Sequence, residues 1–309
     1  NVIEINFMKR DNIIIGSRGS KLAIIYEEKV KSELSKFYSG KIEIRKIITS
    51  GDKNQNERLS SMGGKGLFST DIEHELLENK IDIAVHALKD MPSFDTKGLL
   101  TNCYLKRNSP NEILISKNIK FKDLNNGSVI GTSSFRREFQ LKNIRADLVY
   151  KLIRGNVDTR IKKLENNEYD AIILSKAGIE SLNLQSKITD EFEVTKLVPC
   201  AGQGIIAIQC NENNQDILRL IEKINDTQTR IIANTEREVL RILEGDCDTA
   251  VGVFASIKKD KIELTAELFS VDGKKRFFMS ENENIENHIV LAKRIAEDLK
   301  KQSKGSYKG

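Results

Sequence analysis

Three stretches of the chain place arginine where a predicted strand gives way to a predicted helix. They are Ser17-Arg18-Gly19-Ser20, Thr132-Ser133-Ser134-Phe135-Arg136-Arg137 and Arg154-Gly155-Asn156, with Arg160 in the helix that follows the last of them. The hydroxyl and amide side chains are ordinary helix caps. Capping does not explain the arginines, because the helix macrodipole disfavours a cation at a helix N-terminus. Since backbone amides and arginines together bind carboxylates and phosphates, the pattern predicts an anion site.

The segment from His86 to Pro92 holds the best-placed carboxylate of the chain, Asp90. It follows an apolar run at 81–85, which predicts a buried strand. In parallel α/β folds, residues just past the carboxyl end of a strand face the ligand crevice. We therefore expect Asp90 to serve electrostatic or acid–base catalysis, with an ordinary turn aspartate as the simpler alternative.

Two glycine-bounded segments carry a further lysine and a cysteine. Lys65 stands among Gly63, Gly64 and Gly66, without the GxxxxGK[ST] spacing of a phosphate loop, which favours a loop with a cationic tip. A plain surface loop fits this segment equally well. Cys247 lies among acidic neighbours that give no local reason for a lowered thiol pKa. A lone cysteine is usually a small core residue, so only its position in a glycine-bounded loop suggests more.

Short apolar runs alternate with helix-period stretches over the first two-thirds of the chain. This alternation predicts α/β layers with mostly parallel sheets. The predicted strands are residues 12–16, 42–48, 81–85, 112–116, 128–131, 149–153, 170–174 and 205–209.

The prolines and the last third of the chain divide it into three parts. Pro110 and Pro199 mark turns where the chain leaves the first part, near 106–110, and returns to it, near 198–204. We expect a first α/β lobe at 1–107 with 203–225, a second at 108–202, and a ligand cleft between them. A helix at 227–244, strands at 251–257, 261–269 and 275–279, and a final helix then predict a small α+β domain at 226–309.

The amino-acid composition excludes several classes of protein. Of 309 residues, 39% are hydrophobic and 31% charged, with a net charge of +5 and no Trp, which excludes a disordered chain and disfavours a nucleic-acid binder. No apolar run approaches the ~20 residues of a membrane span, and no signal-peptide pattern is visible. Three histidines and four cysteines lack metal or disulfide spacing. We expect a cytoplasmic enzyme or small-ligand binder that needs no metal, membrane or nucleic acid.

Seven stretches, taken in order, resemble the porphobilinogen deaminase (hydroxymethylbilane synthase) family of tetrapyrrole, porphyrin and haem biosynthesis. They are GGKGLF at 63–68, DIAVHALKDMP at 82–92, GTSSFRR at 131–137, LIRGNVDTR at 152–160, YDAIILSKAG at 169–178, AGQG at 201–204 and EGDC at 244–247. Their spread over nearly the whole chain makes a chance match improbable.

The resemblance implies two lobes like those of a periplasmic binding protein, a third domain, and a monomeric transferase. It implies a dipyrromethane cofactor joined by a thioether to Cys247, and the head-to-tail condensation of four porphobilinogens with loss of ammonia. Asp90 would match the catalytic carboxylate. The cofactor-binding residues would be Lys89, Thr132, Ser134, Arg136, Arg137, Arg154 and Arg160. The substrate-binding residues would be Arg18, Ser20, Lys65, Arg154 and Arg160.

Three positions depart from the family pattern. Ser61 stands where many members have a second lysine, and Ser181 where many have an arginine, so binding of a later pyrrole is in doubt. Lys176 is a candidate to compensate, and Ala87, where a serine is common, is expected to matter little. The rival hypothesis is a non-enzymatic two-lobed binding protein for a carboxylate ligand.

We predict that Cys247→Ser folds but carries no covalent cofactor, because a serine hydroxyl is a far weaker nucleophile than a thiolate. Mass spectrometry of the intact protein would detect a dipyrromethane adduct. An adduct of unchanged mass on the serine variant would exclude Cys247 as the attachment point.

Overall fold

We describe a computed structural model of the chain over residues 11–49, 69–245 and 249–308. The first lobe has a five-stranded sheet in the order β2-β1-β3-β10-β4. Its strands are β1 (Asn12–Arg18), β2 (Lys41–Ile47), β3 (Ile83–Ala87), β4 (Leu99–Tyr104) and β10 (Ile206–Asn211). Helices α1 (Lys21–Leu34), α2 (Thr70–Leu77) and α6 (Gln215–Glu222) belong to the same lobe. Ile13, Ile83 and Ile208 form part of its buried core.

The second lobe repeats this plan with the order β7-β6-β8-β5-β9. Its strands are β5 (Glu112–Ser116), β6 (Val129–Gly131), β7 (Val149–Lys151), β8 (Ala171–Ser175) and β9 (Asp190–Phe192). Its helices are α3 (Phe135–Ile144), α4 (Val157–Glu165) and α5 (Lys176–Ser181). Successive residues of a strand point to opposite faces, so Ile173 and Leu174 enter separate apolar clusters on the two sides of the sheet.

The C-terminal domain packs two helices on a three-stranded antiparallel sheet. Its elements are α7 (Thr227–Leu243), β11 (Val251–Lys258), β12 (Lys261–Phe269), β13 (Arg276–Asn284) and α8 (His288–Ser303). Leu240, Leu264 and Leu299 are among the side chains that fill the space between helices and sheet.

In the parts of the chain that are described, no helix is both long and apolar enough to cross a membrane.

The predicted architecture of two α/β lobes and a C-terminal α+β domain is confirmed, but the expectation of mostly parallel sheets is wrong. β10 runs antiparallel to β3 and β4, and β5 runs antiparallel to β8 and β9. Parallel neighbours need a crossover connection within one sheet. The chain reaches β5 and β10 from the other lobe instead. No crossover within one sheet therefore forces either strand to run parallel to its neighbours.

Two strands were missing from the sequence prediction, and one was too short. β4 includes the polar pair Thr101 and Asn102, and β9 is a three-residue strand that opens with two acidic residues. Pairing with neighbouring strands stabilises β4 and β9 as strands more than their own hydrophobicity does. β13 continues to Asn284 instead of ending near Met279, because its alternating polar residues pair with β12 along an exposed face.

The two segments that cross between the lobes lie side by side. The amide of Asn108 donates to the carbonyl of Gly204 at 2.8 Å, and Arg107 Nε donates to the carbonyl of Gln203 at 3.0 Å. Gly204 has φ +80°, and a Cβ there would lie 2.7 Å from the Asn108 carbonyl oxygen. Only glycine permits both the conformation and the close approach. The boundaries 1–107 with 203–225, 108–202 and 226–309 stay predictions.

A buried carboxylate, Glu236 of α7, joins these crossing segments to the C-terminal domain. It accepts from Arg107 Nη1 at 2.7 Å, from the amide of Gly202 at 2.7 Å and from the amide of Ala255 at 2.8 Å. Glu236 is fully buried, so all three bonds are shielded from water.

We predict that Glu236→Gln lowers the free energy of unfolding by about 3–5 kcal/mol, since it leaves the guanidinium of Arg107 buried and unpaired. Urea denaturation followed by circular dichroism measures the change. Arg294→Gln, which breaks a partly exposed pair with Glu281, is the control and should cost under ~1 kcal/mol. Equal losses in the two variants would contradict the role given to Glu236.

Candidate functional site

Asp90 lies on the wall of a pocket in the first lobe. β3 ends at Ala87, and a single 3₁₀ turn, Leu88–Asp90, carries the carboxylate just past the strand end. The pocket is open to solvent, and Arg18 and Ser20 are among its lining residues. The Ser20 hydroxyl accepts from the amide of Ala23 at 3.2 Å and so caps α1.

The second lobe faces this pocket. Lys89 Nζ donates to Ser175 Oγ at 3.3 Å, and Lys21 forms an ion pair of 2.6 Å with Asp158. Each contact joins a residue beside the pocket to a residue at a strand-to-helix turn of the second lobe.

A group of positive charges lies at those turns. Burial, together with the positive charges of Arg137 and Arg154, lowers the pKa of Arg160 to about 10, although the negative charge of Asp90 opposes them. Arg160 Nε donates to the carbonyl of Gly155 at 2.8 Å. Arginines that repel one another inside a protein indicate a place where an anionic ligand would be stabilised.

Arg136 and Arg137 share one buried carboxylate, Glu112. Arg136 Nη2 lies 2.6 Å from Glu112 Oε1, and Arg137 Nη2 lies 2.7 Å from Glu112 Oε2. Arg136 also donates to the carbonyl of Val198 at 2.9 Å and to Gln140 Oε1 at 3.2 Å. The guanidinium of Arg136 is therefore engaged by protein acceptors, while its predicted contact with the cofactor stays a prediction.

Glu112 is a residue that sequence reasoning missed. Burial disfavours its charged form, but the guanidinium groups of Arg137 and Arg136 outweigh burial and lower its pKa to about 2. The signal was available, since a glutamate opens an otherwise apolar strand, Glu-Ile-Leu-Ile-Ser. A charge in such a strand requires a buried partner.

Thr132 and Ser134 lie at the start of α3, where their hydroxyl groups act as caps. Thr132 Oγ1 accepts from the amide of Ser134 at 3.2 Å, and Ser134 Oγ accepts from the amide of Arg137 at 3.4 Å. These bonds fix the turn that presents the two arginines.

A buried polar chain lies behind the pocket and was also missed. Gln209 Nε2 donates to Glu73 at 3.0 Å, so its carbonyl oxygen is left to accept from His86 Nε2 at 3.2 Å. Burial lowers the pKa of His86 to about 4, which keeps the imidazole neutral near pH 7. His86, which lines the pocket, therefore places a neutral group on its wall.

Some predicted residues lie elsewhere. Lys65, Ser61 and Cys247 are outside the described residues. Lys176 forms an ion pair of 2.7 Å with Glu191, so its charge is already balanced. Residues 11–49, 69–245 and 249–308 contain no cluster of His, Cys, Asp and Glu that could hold a metal ion.

Comparison with known families gives two matches that cover most of the chain. The family model "Porphobilinogen deaminase, dipyromethane cofactor binding domain" matches residues 13–219, and "Porphobilinogen deaminase, C-terminal domain" matches residues 231–301. Porphobilinogen deaminase of Bacillus cereus (strain B4264) is 44% identical over 84% of this chain and 86% of that protein. That of Geobacillus kaustophilus (strain HTA426) is 42% identical over 86% of this chain and 87% of that protein.

Among solved structures, similar chains include a periplasmic binding protein of Salmonella typhimurium with high arginine specificity and the periplasmic VFT2 domain of Bordetella pertussis BvgS. The first has a TM-score of 0.40 at 11% identity and covers 75% of this chain and 94% of its own. The second has a TM-score of 0.42 at 11% identity and covers 74% and 90%. Nothing about ligands follows from likeness at this level.

We predict opposite effects on stability for two arginines of the second lobe. Arg136→Gln should lower the free energy of unfolding by about 3 kcal/mol or more, because Glu112 loses a buried partner. Arg160→Gln should leave it unchanged or raise it, because a half-buried cation repelled by its neighbours is removed. Guanidinium chloride titrations of both variants measure the difference. A large loss of stability for Arg160→Gln would mean that its charge serves the fold and not a ligand.

Proposed function

The chain belongs to the porphobilinogen deaminase family, and we propose that the cleft between its lobes is where porphobilinogen is bound and condensed. Its activity is that of a porphobilinogen deaminase, a transferase of tetrapyrrole biosynthesis with a dipyrromethane cofactor. Four porphobilinogens are joined head to tail, each with loss of ammonia, to give linear hydroxymethylbilane.

The observation that carries the proposal is the excess of positive charge on the second-lobe side of the cleft. Arg137 and Arg154 are close enough to Arg160 for their positive charges to lower the pKa of its guanidinium, and Asp90 is the carboxylate that opposes them. Each porphobilinogen carries an acetate and a propionate, so every added ring brings two negative charges. Binding of these carboxylates would offset the mutual repulsion of the arginines.

Asp90 is proposed as the catalytic carboxylate. It is exposed to the cleft, and its negative charge acts on groups from three elements, namely Tyr26 of α1, His86 of β3 and Arg160 of α4. Loss of ammonia from porphobilinogen leaves a cation, and a fixed carboxylate stabilises a cation as it forms. Asp90 would also accept a proton from the pyrrole in the same place.

Substrate carboxylates would be bound from both sides of the cleft. Arg18 and Ser20 line the pocket beside Asp90, and Arg154 and Arg160 lie on the opposite lobe. Lys65 is proposed as a further ligand from outside the described residues. The two-sided arrangement would fix the orientation of the ring relative to Asp90.

Dipyrromethane would be held on the second lobe by Lys89, Thr132, Ser134, Arg136, Arg137, Arg154 and Arg160, with Cys247 as the thioether residue. Arg137 fits this role, because its Nε is buried and has no hydrogen-bond partner among the described residues. When bound, the cofactor supplies the pyrrole carbon to which the first substrate is joined. The protein side chains would hold its carboxylates and fix that carbon near Asp90.

We further propose that the protein acts as a cytoplasmic monomer with porphobilinogen as its small-molecule partner. The rival hypothesis of a non-enzymatic binding protein is not retained, since the chain belongs to a family of enzymes.

Asp90→Ala should lower kcat by a factor of about 10²–10³ without loss of the fold, and Asp90→Glu should retain a small part of the activity. Release of ammonia from porphobilinogen and formation of hydroxymethylbilane measure turnover. Asp123→Ala is a matched control, because Asp123 is an exposed aspartate that also ends a 3₁₀ turn. Turnover by Asp90→Ala close to the parent rate would show that the carboxylate has been wrongly assigned.

A further inference from the structure

An ion pair joins the two lobes beside the cleft. Lys21 Nζ, in the first turn of α1, lies 2.6 Å from Asp158 Oδ2, in the first turn of α4. Lys21 directly follows Ser20, which lines the pocket, and Asp158 shares a helical turn with Arg160. The pair therefore connects two turns that are proposed to bind substrate carboxylates from opposite sides.

The two charges are placed differently with respect to their own helices. The macrodipole of α4 favours a negative charge in its first turn, where Asp158 lies. The macrodipole of α1 disfavours a cation at Lys21, and the first turn of α1 contains no acidic residue to balance it. The favourable partner of Lys21 is therefore the carboxylate of the other lobe.

Two further contacts of α1 show how this helix lies along the second lobe. A Cβ added to Gly178 of α5 would lie 3.7 Å from Leu22 Cδ2, which is ordinary van der Waals contact. Lys29 Nζ donates to Asn108 Oδ1, in a crossing segment, at 3.2 Å. Lys21 and Lys29 are separated by about 12 Å of helix, at a rise of ~1.5 Å per residue. The ion pair is thus a contact of the lobes themselves, apart from the crossing segments.

We infer that Lys21 and Asp158 are positioning residues, whose ion pair sets the spacing between the turns that carry Ser20 and Arg160. The inference rests on the proposed function of the cleft. A link that fixes this spacing before porphobilinogen enters reduces the ordering that two-sided binding must supply. Neither Lys21 nor Asp158 is among the residues that line the pocket, so the pair should act on substrate binding and not on the chemical step.

Reversal of each charge, and of both together, tests the pair. Lys21→Glu and Asp158→Lys each place like charges opposite each other, so each should raise KM for porphobilinogen about 5-fold and leave kcat within about 2-fold. The double variant Lys21→Glu/Asp158→Lys restores opposite charges, so its KM should return to within about 2-fold of the parent value. Both constants are measured on holoenzyme by the rate of ammonia release.

Asp158→Lys separates this role from a general effect of charge. It adds positive charge near the arginines, so a field effect alone would favour the substrate carboxylates and lower KM, whereas loss of the pair raises KM. A KM that is unchanged or lowered in Asp158→Lys overturns the inference. A double variant in which the two single effects multiply also overturns it, because the residues would then act independently.

Lys187→Glu is the matched control, because it breaks an exposed ion pair of 3.0 Å with Glu165 inside the second lobe and changes the net charge as Lys21→Glu does. Its KM should equal that of the parent, and a KM raised as far as in Lys21→Glu would overturn the inference. If one single variant does not fold, the other decides with the double variant, since equal KM values in those two exclude the pair. The proposed function is tested separately: it fails if Asp90→Ala is active, whatever KM the charge variants show.

Discussion

The arrangement of the cleft depends on one buried carboxylate, Glu112. Without its negative charge, the adjacent guanidinium groups of Arg136 and Arg137 would not remain side by side in a dry part of the protein. The same cluster extends beyond the second lobe, because Arg136 and Gln140 both donate to the carbonyl of Val198. Gln140 also contacts Glu267 of the C-terminal sheet. One ion cluster thus joins the second lobe, the returning crossing segment and the third domain.

Charge compensation divides the arginines into two kinds. Arg107 and Arg136 have their charge balanced by Glu236 and Glu112, and they hold parts of the protein together. Arg160 is surrounded by other arginines instead. Residues of one type in similar sequence positions therefore serve different purposes, and the location of buried glutamates decides which purpose each one serves.

The sequence alone was sufficient to predict the two-lobed architecture and most strands. A run of apolar residues such as Ile13–Ile15 predicts a buried strand without any knowledge of distant contacts. Strand direction was not predictable, since β5 and β10 take theirs from the crossing segments. Arg18 and Asp90 were singled out from their places at strand ends, and both line the pocket. Which acceptor each arginine meets depends on contacts between residues far apart in the chain, such as Arg136 with Glu112. The local pattern shows that Glu112 needs a buried partner, but it does not show which residue that partner is.

The paired crossing segments also determine which movements the lobes can make. Two segments joined by the hydrogen bonds from Asn108 to Gly204 and from Arg107 to Gln203 would bend together, whereas sliding one past the other would break those bonds. A rotation of the lobes about this pair would keep those bonds. Glu236 accepts from Arg107 on one segment and from Gly202 on the other, so the C-terminal domain is anchored to both segments at the place where such a rotation would be centred.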